Sequence, residues 1–204
     1  MHLSLLGGDI FSLVRTAGYV GLFLMVFAES GLFFGFFLPG GSLLFTAGLL
    51  ASQGFFNIYI LTIVLTVAAI TGDSVGYWFG LKIGPKIFTK EDSLFFHKKH
   101  VLRTHAFFEE HGAKAVIIGR FVPIVRTFVP ILAGVGTMTY RQFLKYNIVG
   151  GIVWGIGMSA LGYFLGNSIP GIQQLLLPIV IFIVILSVLP IFFGMMKKNT
   201  KDTI

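Results

Sequence analysis

The sequence predicts an all-α polytopic membrane protein with about four transmembrane helices and two re-entrant hairpins of opposite orientation. Hydrophobic residues make up 55% of the 204 residues and charged residues only 11%, whereas soluble domains carry about 25% charged residues. Apolar runs long enough to cross a bilayer recur along the chain. Two further apolar runs are broken by proline and glycine, which favours helical hairpins that enter the membrane and return on the same side.

The predicted elements form one membrane domain over residues 1–204, in which an apolar span at Ile10–Ala28 comes first. The parts in chain order are a first span, a re-entrant hairpin and a second span at 10–80, a cytoplasmic amphipathic segment at 81–114, a second re-entrant hairpin and a third span at 115–166, a fourth span at 167–196, and a basic cytoplasmic tail at 197–204. In the amphipathic segment, apolar residues recur at seven-residue spacing among basic residues, which is typical of a helix lying in the membrane interface.

The distribution of basic residues predicts the orientation of the chain. The segment 82–114 and the tail 197–204 hold most of the lysines and arginines, and the opposite connections 51–57 and 166–174 hold none. Because cytoplasmic loops carry the excess of lysine and arginine, we expect the basic segments and both termini on the cytoplasmic side.

The stretch Gly119–Gly134 carries features that a simple membrane anchor does not need. It contains Arg120 and Arg126, and each arginine at the bilayer centre costs about 2.5–3.5 kcal/mol. Pro123 and Pro130 lack a backbone N–H and disturb a helix, and irregular backbone survives at this depth only inside protein or beside a wet cavity. Since guanidinium groups match phosphate and carboxylate in geometry and charge, both arginines are predicted to bind the phosphate of a substrate.

Two acids in apolar surroundings complete the predicted ionic set. Glu29 is followed by eight mostly apolar residues, and such surroundings favour the neutral form of a carboxyl group, so proton uptake near neutral pH is feasible. Asp73 follows Gly72 late in the second span, and both acids are predicted to couple transport to a proton or another ion. The structural alternatives are arginines that snorkel to the interface or pair with these acids, and an aspartate that caps a helix break.

The predicted tips of the two hairpins are the residues that break the apolar runs: Pro39, Gly40, Gly41, Pro123 and Pro130. An internal repeat supports this arrangement. A shift of 86 residues places Ala47-Gly48 on Ala133-Gly134, Gly76-Tyr77 on Gly162-Tyr163, and Gly80 on Gly166. Because each unit contains one full crossing, the two copies have opposite orientations, and inverted repeats with broken helices are the architecture of secondary transporters.

Several function classes are disfavoured. The chain has no cysteine, so disulfides, thiol catalysis and thiolate metal sites are excluded. The net charge of +7 lies in membrane-flanking segments, which indicates no nucleic-acid partner. Four histidines between positions 97 and 111 are scattered among basic residues, which disfavours a metal site. No nucleophile–base pair is found, so we expect neither an enzyme nor a bound cofactor.

At these residues the chain resembles the DedA family, also called SNARE-associated or VTT-domain membrane proteins. The resemblance covers roughly residues 18–166. The matching residues are Glu29 with Phe37-Leu38-Pro39-Gly40, then Ser42-Leu43-Leu44-Phe45-Thr46-Ala47-Gly48, Gly72-Asp73 with Gly76-Tyr77, Gly119-Arg120-Phe121 with Pro123 and Arg126, Ala133-Gly134, and finally Met138, Phe143, Asn147, Gly150 and Trp154.

The resemblance implies a multi-pass protein of the bacterial inner membrane. It also implies a flippase or scramblase that moves a phospholipid or undecaprenyl phosphate between leaflets, coupled to a proton or sodium gradient. The acidic pair of the family maps onto Glu29 and position 41, which is Gly41 here, and its arginine pair maps onto Arg120 and Arg126. Glu29 acting alone, Asp73 as a substitute, and scrambling without ion coupling all remain open.

Two other functions remain as alternatives. One is a proton- or sodium-coupled exporter of a small solute that uses the same residues, and the other is a factor in membrane-protein assembly. A homo-oligomer is among the alternatives for the assembly of the chain.

Overall fold

A computed structural model describes residues 3–32, 40–88, 114–136 and 138–169. In these residues all regular structure is α-helical, which confirms the predicted all-α class. The helices are α1 (Leu3–Gly31), α2 (Gly40–Ser52), α3 (Ile58–Phe88), α4 (Lys114–Gly119), α5 (Pro123–Val135) and α6 (Tyr140–Ser168).

Two of the described helices are long and apolar enough to cross a membrane, namely Ile58–Ile83 within α3 and Tyr140–Ser168, which is α6. They coincide with the second and third predicted spans. Helix α3 continues to Phe88, eight residues beyond the predicted end of its span at Gly80. The predicted fourth span, the basic tail and residues 89–113 of the amphipathic segment lie outside the described residues, apart from the end of α6 and Ile169.

Helix α1 is interrupted at Gly18, so the predicted first span Ile10–Ala28 is not one continuous helix. The backbone of Gly18 has φ 59° and ψ −167°, a conformation that glycine adopts at little cost because it has no Cβ. On either side of this kink α1 contacts the connection between α2 and α3. The Arg15 guanidinium carbon lies 4.4 Å from the centre of the Phe55 ring, and the Asn57 backbone N–H donates to the Tyr19 hydroxyl at 2.8 Å.

The other end of α1 lies deep in the helix assembly. Gly31 packs on the backbone of Gly72, halfway along α3, and the Glu29 carboxylate lies against Gly40 at the start of α2. Since the kink contacts the connection that follows α2, the part of α1 after the kink and α2 run antiparallel. With 13 residues, α2 is about 20 Å long at 1.5 Å per residue, shorter than the hydrocarbon core of a bilayer.

The predicted hairpin tips are partly corrected. Gly40 and Gly41 are the first residues of α2, and Pro39 lies outside the described residues. Pro123 begins α5, where the absent N–H costs little because the first N–H groups of a helix have no partner in that helix. Pro130 lies inside α5 and not at a tip. The helix continues through it, and a Cβ added to Gly76 of α3 would lie 3.5 Å from the Pro130 Cβ, so this turn of α5 packs closely on α3.

Each short helix crosses the long helix of the other half, α2 on α6 and α5 on α3. Both crossings depend on glycine, because a Cβ at the contact would overlap the backbone of the partner helix. The contacts are Gly48 against Ser159, Gly162 against Phe45, Gly134 against Tyr77, and Gly80 against Ile131. The two halves of the chain therefore make equivalent contacts with each other.

These crossings refine the register of the repeat. The glycines of the short helices, Gly48 and Gly134, are 86 residues apart, as the repeat predicts. The glycines of the long helices that occupy equivalent contacts are Gly80 and Gly162, which are 82 residues apart. The predicted match of Gly80 with Gly166 is therefore displaced by about one helical turn.

Candidate functional site

Arg120 lies in the turn between α4 and α5 and is 5% exposed. Its guanidinium group forms a salt bridge with Asp73 of α3 and donates a second hydrogen bond to the side-chain oxygen of Asn147 on α6. Asn147 in turn donates to the carbonyl oxygen of Ile70 at 3.0 Å. Arg120 is therefore tied to both long helices by a continuous set of hydrogen bonds.

Two glycines of α6 line the guanidinium group of Arg120. A Cβ added to Gly150 would lie 3.5 Å from Nε of Arg120, and one added to Gly151 would lie 3.2 Å from its Nη1. Protein atoms thus enclose Arg120 on the α6 side, while its charge is compensated from α3 by Asp73. The arrangement satisfies the requirement that a buried charge be paired and hydrogen-bonded.

Arg126 lies in the first turns of α5 and has a different environment. It forms a salt bridge with Glu29 at the end of α1, with side-chain exposures of 12% for the arginine and 1% for the glutamate. The guanidinium carbon lies 4.8 Å from the centre of the Trp154 ring on α6, within the range of a cation–π interaction. Glu29 also lies against the first turn of α2, where an added Cβ at Gly40 would overlap its carboxylate.

The four predicted ionic residues are thus brought together as two ion pairs. Both acids come from the first half of the chain and both arginines from the second half, so each pair joins the two halves. The pairing that the sequence left as a structural alternative is what the structure contains. It does not decide against substrate binding, because a guanidinium group that holds a carboxylate can exchange it for a phosphate of similar geometry.

Position 41 has no part in either ion pair. A Cβ added to Gly41 would point toward α6, with the terminal methyl group of Met158 as its nearest neighbour at 4.0 Å. The second acid in contact with an arginine is Asp73.

Sequence reasoning assigned no role to two residues that touch the arginines. Asn147 is a fully buried amide in an apolar helix, and this polar residue at membrane depth was a signal of a specific partner. Trp154 is 4% exposed, but a tryptophan in an apolar span predicts packing and not a contact with an ion. Asn147, Gly151 and Trp154 recur at intervals of four and three residues, which puts them on one face of α6.

In the described part of the chain, no group of three or more His, Asp or Glu residues could hold a metal ion. The predicted absence of a metal from the histidine-containing segment concerns residues outside the described ranges. The chemistry of the described site is that of two cations and two anions in apolar surroundings, which suits the binding of an anion and the exchange of a proton.

Comparison with known proteins identifies the family. The model of the VTT domain matches residues 38–164. An uncharacterized membrane protein of Mycobacterium leprae, ML0287, is 48% identical over 166 residues, which cover 81% of this chain and 74% of that protein. Protein DedA of Escherichia coli is 44% identical over 174 residues, or 84% of this chain and 79% of DedA.

A more distant relative gives the location in its name. The inner membrane protein YqjA of Escherichia coli is 35% identical over 150 residues, which cover 74% of this chain and 68% of YqjA. No solved structure matches the chain. Two of these relatives are membrane proteins by name, and two described helices of this chain are long and apolar enough to cross a bilayer. The chain therefore belongs to the DedA family of VTT-domain membrane proteins.

Proposed function

We propose that this protein moves a lipid with a phosphate headgroup, such as a phospholipid or undecaprenyl phosphate, between the leaflets of the bacterial inner membrane. The observation that carries the proposal is the Arg126–Glu29 ion pair, which joins the two halves of the chain in surroundings that are nearly dry. A guanidinium group in such a place attracts an anion strongly because water competes little for it.

The proposed membrane architecture has two re-entrant hairpins that enter from opposite sides. The part of α1 after Gly18 and α2 form the first hairpin, and α4 and α5 contribute to the second. The lengths support this proposal, because α2 and α5 have 13 residues each, too few to cross a hydrocarbon core of about 30 Å. The glycine crossings of α2 on α6 and of α5 on α3 are what an inverted repeat requires.

The proposed orientation keeps the basic connection 89–113 and the C-terminal tail in the cytoplasm. For the N-terminal part of α1 we propose a placement that differs from the predicted one. Arg15 and Tyr19 contact residues 55–57, at the end of α3 opposite the basic connection. We therefore propose that residues 3–17 lie along the outer surface of the membrane and do not cross it.

In the proposed mechanism, Arg126 exchanges partners. With Glu29 ionised, the two side chains neutralise each other and the site holds no net charge. When Glu29 takes up a proton, Arg126 is left with an uncompensated charge, and a lipid phosphate restores neutrality. Loss of the proton on the other side of the membrane returns Glu29 to Arg126 and expels the phosphate, so the transfer of lipid and proton is coupled.

The ion pair between Arg120 and Asp73 indicates which acid would be coupled to Arg120. Asp73 is the acid that contacts Arg120, which supports the alternative in which Asp73 takes the place of an acid at position 41. Arg120 remains a proposed phosphate ligand, but it has two protein partners in addition to the glycine surface of α6. We therefore propose Arg126 as the arginine that takes the phosphate first.

The test is headgroup accessibility in proteoliposomes that contain the purified protein, with a fluorescent phospholipid and, separately, undecaprenyl phosphate. We expect Arg126→Ala to lower the rate of transfer by at least about 30-fold, because loss of a buried charge partner is worth about 2–5 kcal/mol. The transfer rate of Arg126→Lys should lie between those of the wild type and Arg126→Ala, since a lysine keeps the charge but cannot offer the planar pair of donors.

Arg141→Ala is the matched control, because Arg141 is an exposed arginine on α6, and it should transfer lipid at the wild-type rate. Glu29→Gln should abolish the effect of a pH gradient while leaving the protein folded. Equal transfer by the wild type and Arg126→Ala would contradict the proposal. Flux of a soluble anion without transfer of either lipid would favour the small-solute exporter instead.

A further inference from the structure

We propose that Trp154 is a positioning residue for Arg126, and that its ring holds the guanidinium group in place while the carboxylate of Glu29 is exchanged for a phosphate. This inference rests on the proposed phosphate-binding function of Arg126. The guanidinium carbon lies 4.8 Å from the centre of the indole ring, and Trp154 is 4% exposed.

The two neighbours of Arg126 act on it in different ways. Glu29 neutralises the positive charge of Arg126, so it competes with any incoming anion. The indole ring attracts the cation through its negative face but carries no net charge, and a guanidinium group over a ring keeps its in-plane donors free. Trp154 can therefore hold Arg126 without competing with a phosphate, which Glu29 cannot.

The exchange of partners makes such a support necessary. Without Glu29, a guanidinium group on a long flexible side chain would turn toward water or the membrane interface. Each disordered side-chain torsion would then weaken the binding of the phosphate, because ordering the side chain costs free energy again. The ring removes much of this cost, since Trp154 is buried in the main apolar cluster together with residues of α1, α2 and α3.

The position of Trp154 on α6 supports the assignment. The same face of this helix carries Asn147, which accepts a hydrogen bond from Arg120, and Gly151, which leaves room for the Arg120 guanidinium group. One face of α6 therefore contacts both arginines. It offers a hydrogen-bond acceptor to Arg120 and an aromatic ring to Arg126. The contact with the ring is the one that permits Arg126 to exchange its anion.

The first measurement tests the contact itself and needs no lipid. The sequence has two tryptophans, so in a Trp78→Phe background the fluorescence of the full-length protein reports Trp154 alone. Trp78 is half-exposed and touches neither arginine pair in the described structure. We expect Arg126→Gln to shift the emission maximum of Trp154, and the exposed control Arg141→Gln to leave it in place. Identical spectra for Arg126→Gln and its parent would overturn the proposal.

The second measurement tests the role in binding, with short-chain phosphatidic acid as the probe in detergent. Trp154→Leu removes the ring and should weaken binding by about 10-fold, between the effects of losing an exposed and a fully desolvated cation–π interaction. Trp154→Phe keeps a ring and should recover most of the affinity. Thermal unfolding of both variants shows whether they retain the fold.

A double substitution separates positioning from packing. In an Arg126→Gln background, Trp154→Leu should cause no further loss, because the ring then has no cation to hold. An equal loss with and without Arg126, or wild-type affinity of Trp154→Leu, would overturn the proposal. If the wild type binds no phosphatidic acid but the emission still depends on Arg126, the proposed phosphate function fails while the contact stands.

Discussion

The two arginine sites have the same charges but are built differently, and the difference indicates which arginine can exchange its partner. Arg120 is held by a carboxylate, an amide and a glycine surface, on two long helices that are themselves packed together. Arg126 is held by one carboxylate and one aromatic ring, and its side chain is 12% exposed. A site with several hydrogen-bonding partners favours stability, while a site with one competing anion favours exchange.

The elements that carry the sites differ in the same direction. Asp73 and Asn147 lie within α3 and α6, the two described helices that are long and apolar enough to cross a membrane. Glu29 and Arg126 lie near the ends of shorter helical segments, on either side of the boundary between the two halves. If the halves move against each other during transport, Glu29 and Arg126 are the partners that separate first.

The largest expected effect is on the stability of the Arg120 site. Asp73→Ala leaves the Arg120 charge buried without its partner, and we expect the free energy of unfolding to fall by about 3–5 kcal/mol. Glu29→Ala should cost less, because Arg126 retains the face of Trp154 and is less deeply buried than Arg120. Denaturant unfolding of the purified variants in detergent measures both, and equal losses would remove the proposed contrast between the sites.

A double substitution checks the cause of that loss. Replacing both members of a buried ion pair by apolar residues of similar volume is often neutral or stabilising. Arg120→Met combined with Asp73→Leu should therefore be more stable than Asp73→Ala alone. If the double variant is as unstable as the single one, the loss comes from altered packing and not from an unpaired charge.

A smaller effect is expected at Asn147, which distinguishes the Arg120 site from the Arg126 site. Asn147→Ala removes a hydrogen bond to a charged group, which is worth about 1.5–3 kcal/mol. The exposed residue Gln142 lies on the same helix, and Gln142→Ala should leave stability unchanged. A midpoint of unfolding for Asn147→Ala that equals the wild-type value would mean that Asp73 alone holds Arg120.

Much of this arrangement could be predicted from the sequence, because ionic residues are rare in apolar membrane helices and are easily recognised there. Arginines and acids at apolar positions are costly, so their presence alone indicated an interacting set. The pairing could not be predicted, since Arg120 could reach either acid, and only the fold brings Asp73 to Arg120 and Glu29 to Arg126. The contact between Arg126 and Trp154 could not be predicted from the sequence either, because a tryptophan packs in an apolar span with or without a cation.

The backbone breaks were harder to locate than the charges. Proline and glycine predict the hairpin tips; Gly40 and Gly41 stand at the start of α2, as a tip before that helix allows, but Pro130 lies inside α5. The interruption at Gly18 gave no such signal, because a lone glycine in an apolar run is common in membrane helices. The repeat was found through glycines, but its register in the long helices depends on which glycine meets the crossing helix, which spacing alone does not determine.

The smallest predicted effect compares two neighbouring glycines beside Arg120. A Cβ at Gly151 would lie 2.6 Å from Cγ1 of Ile70 and 3.2 Å from Nη1 of Arg120, whereas one at Gly150 would find its nearest neighbour at 3.4 Å, an ordinary contact distance. We expect Gly151→Ala to lower the free energy of unfolding by about 1 kcal/mol, because Ile70 and the guanidinium group must shift. Gly150→Ala should be neutral or slightly stabilising, since alanine favours a helix by up to about 1 kcal/mol over glycine. Thermal unfolding of the two variants side by side measures the difference. Equal midpoints would show that Arg120 is held less closely than its contacts indicate. The two arginine sites would then differ less than the structure suggests.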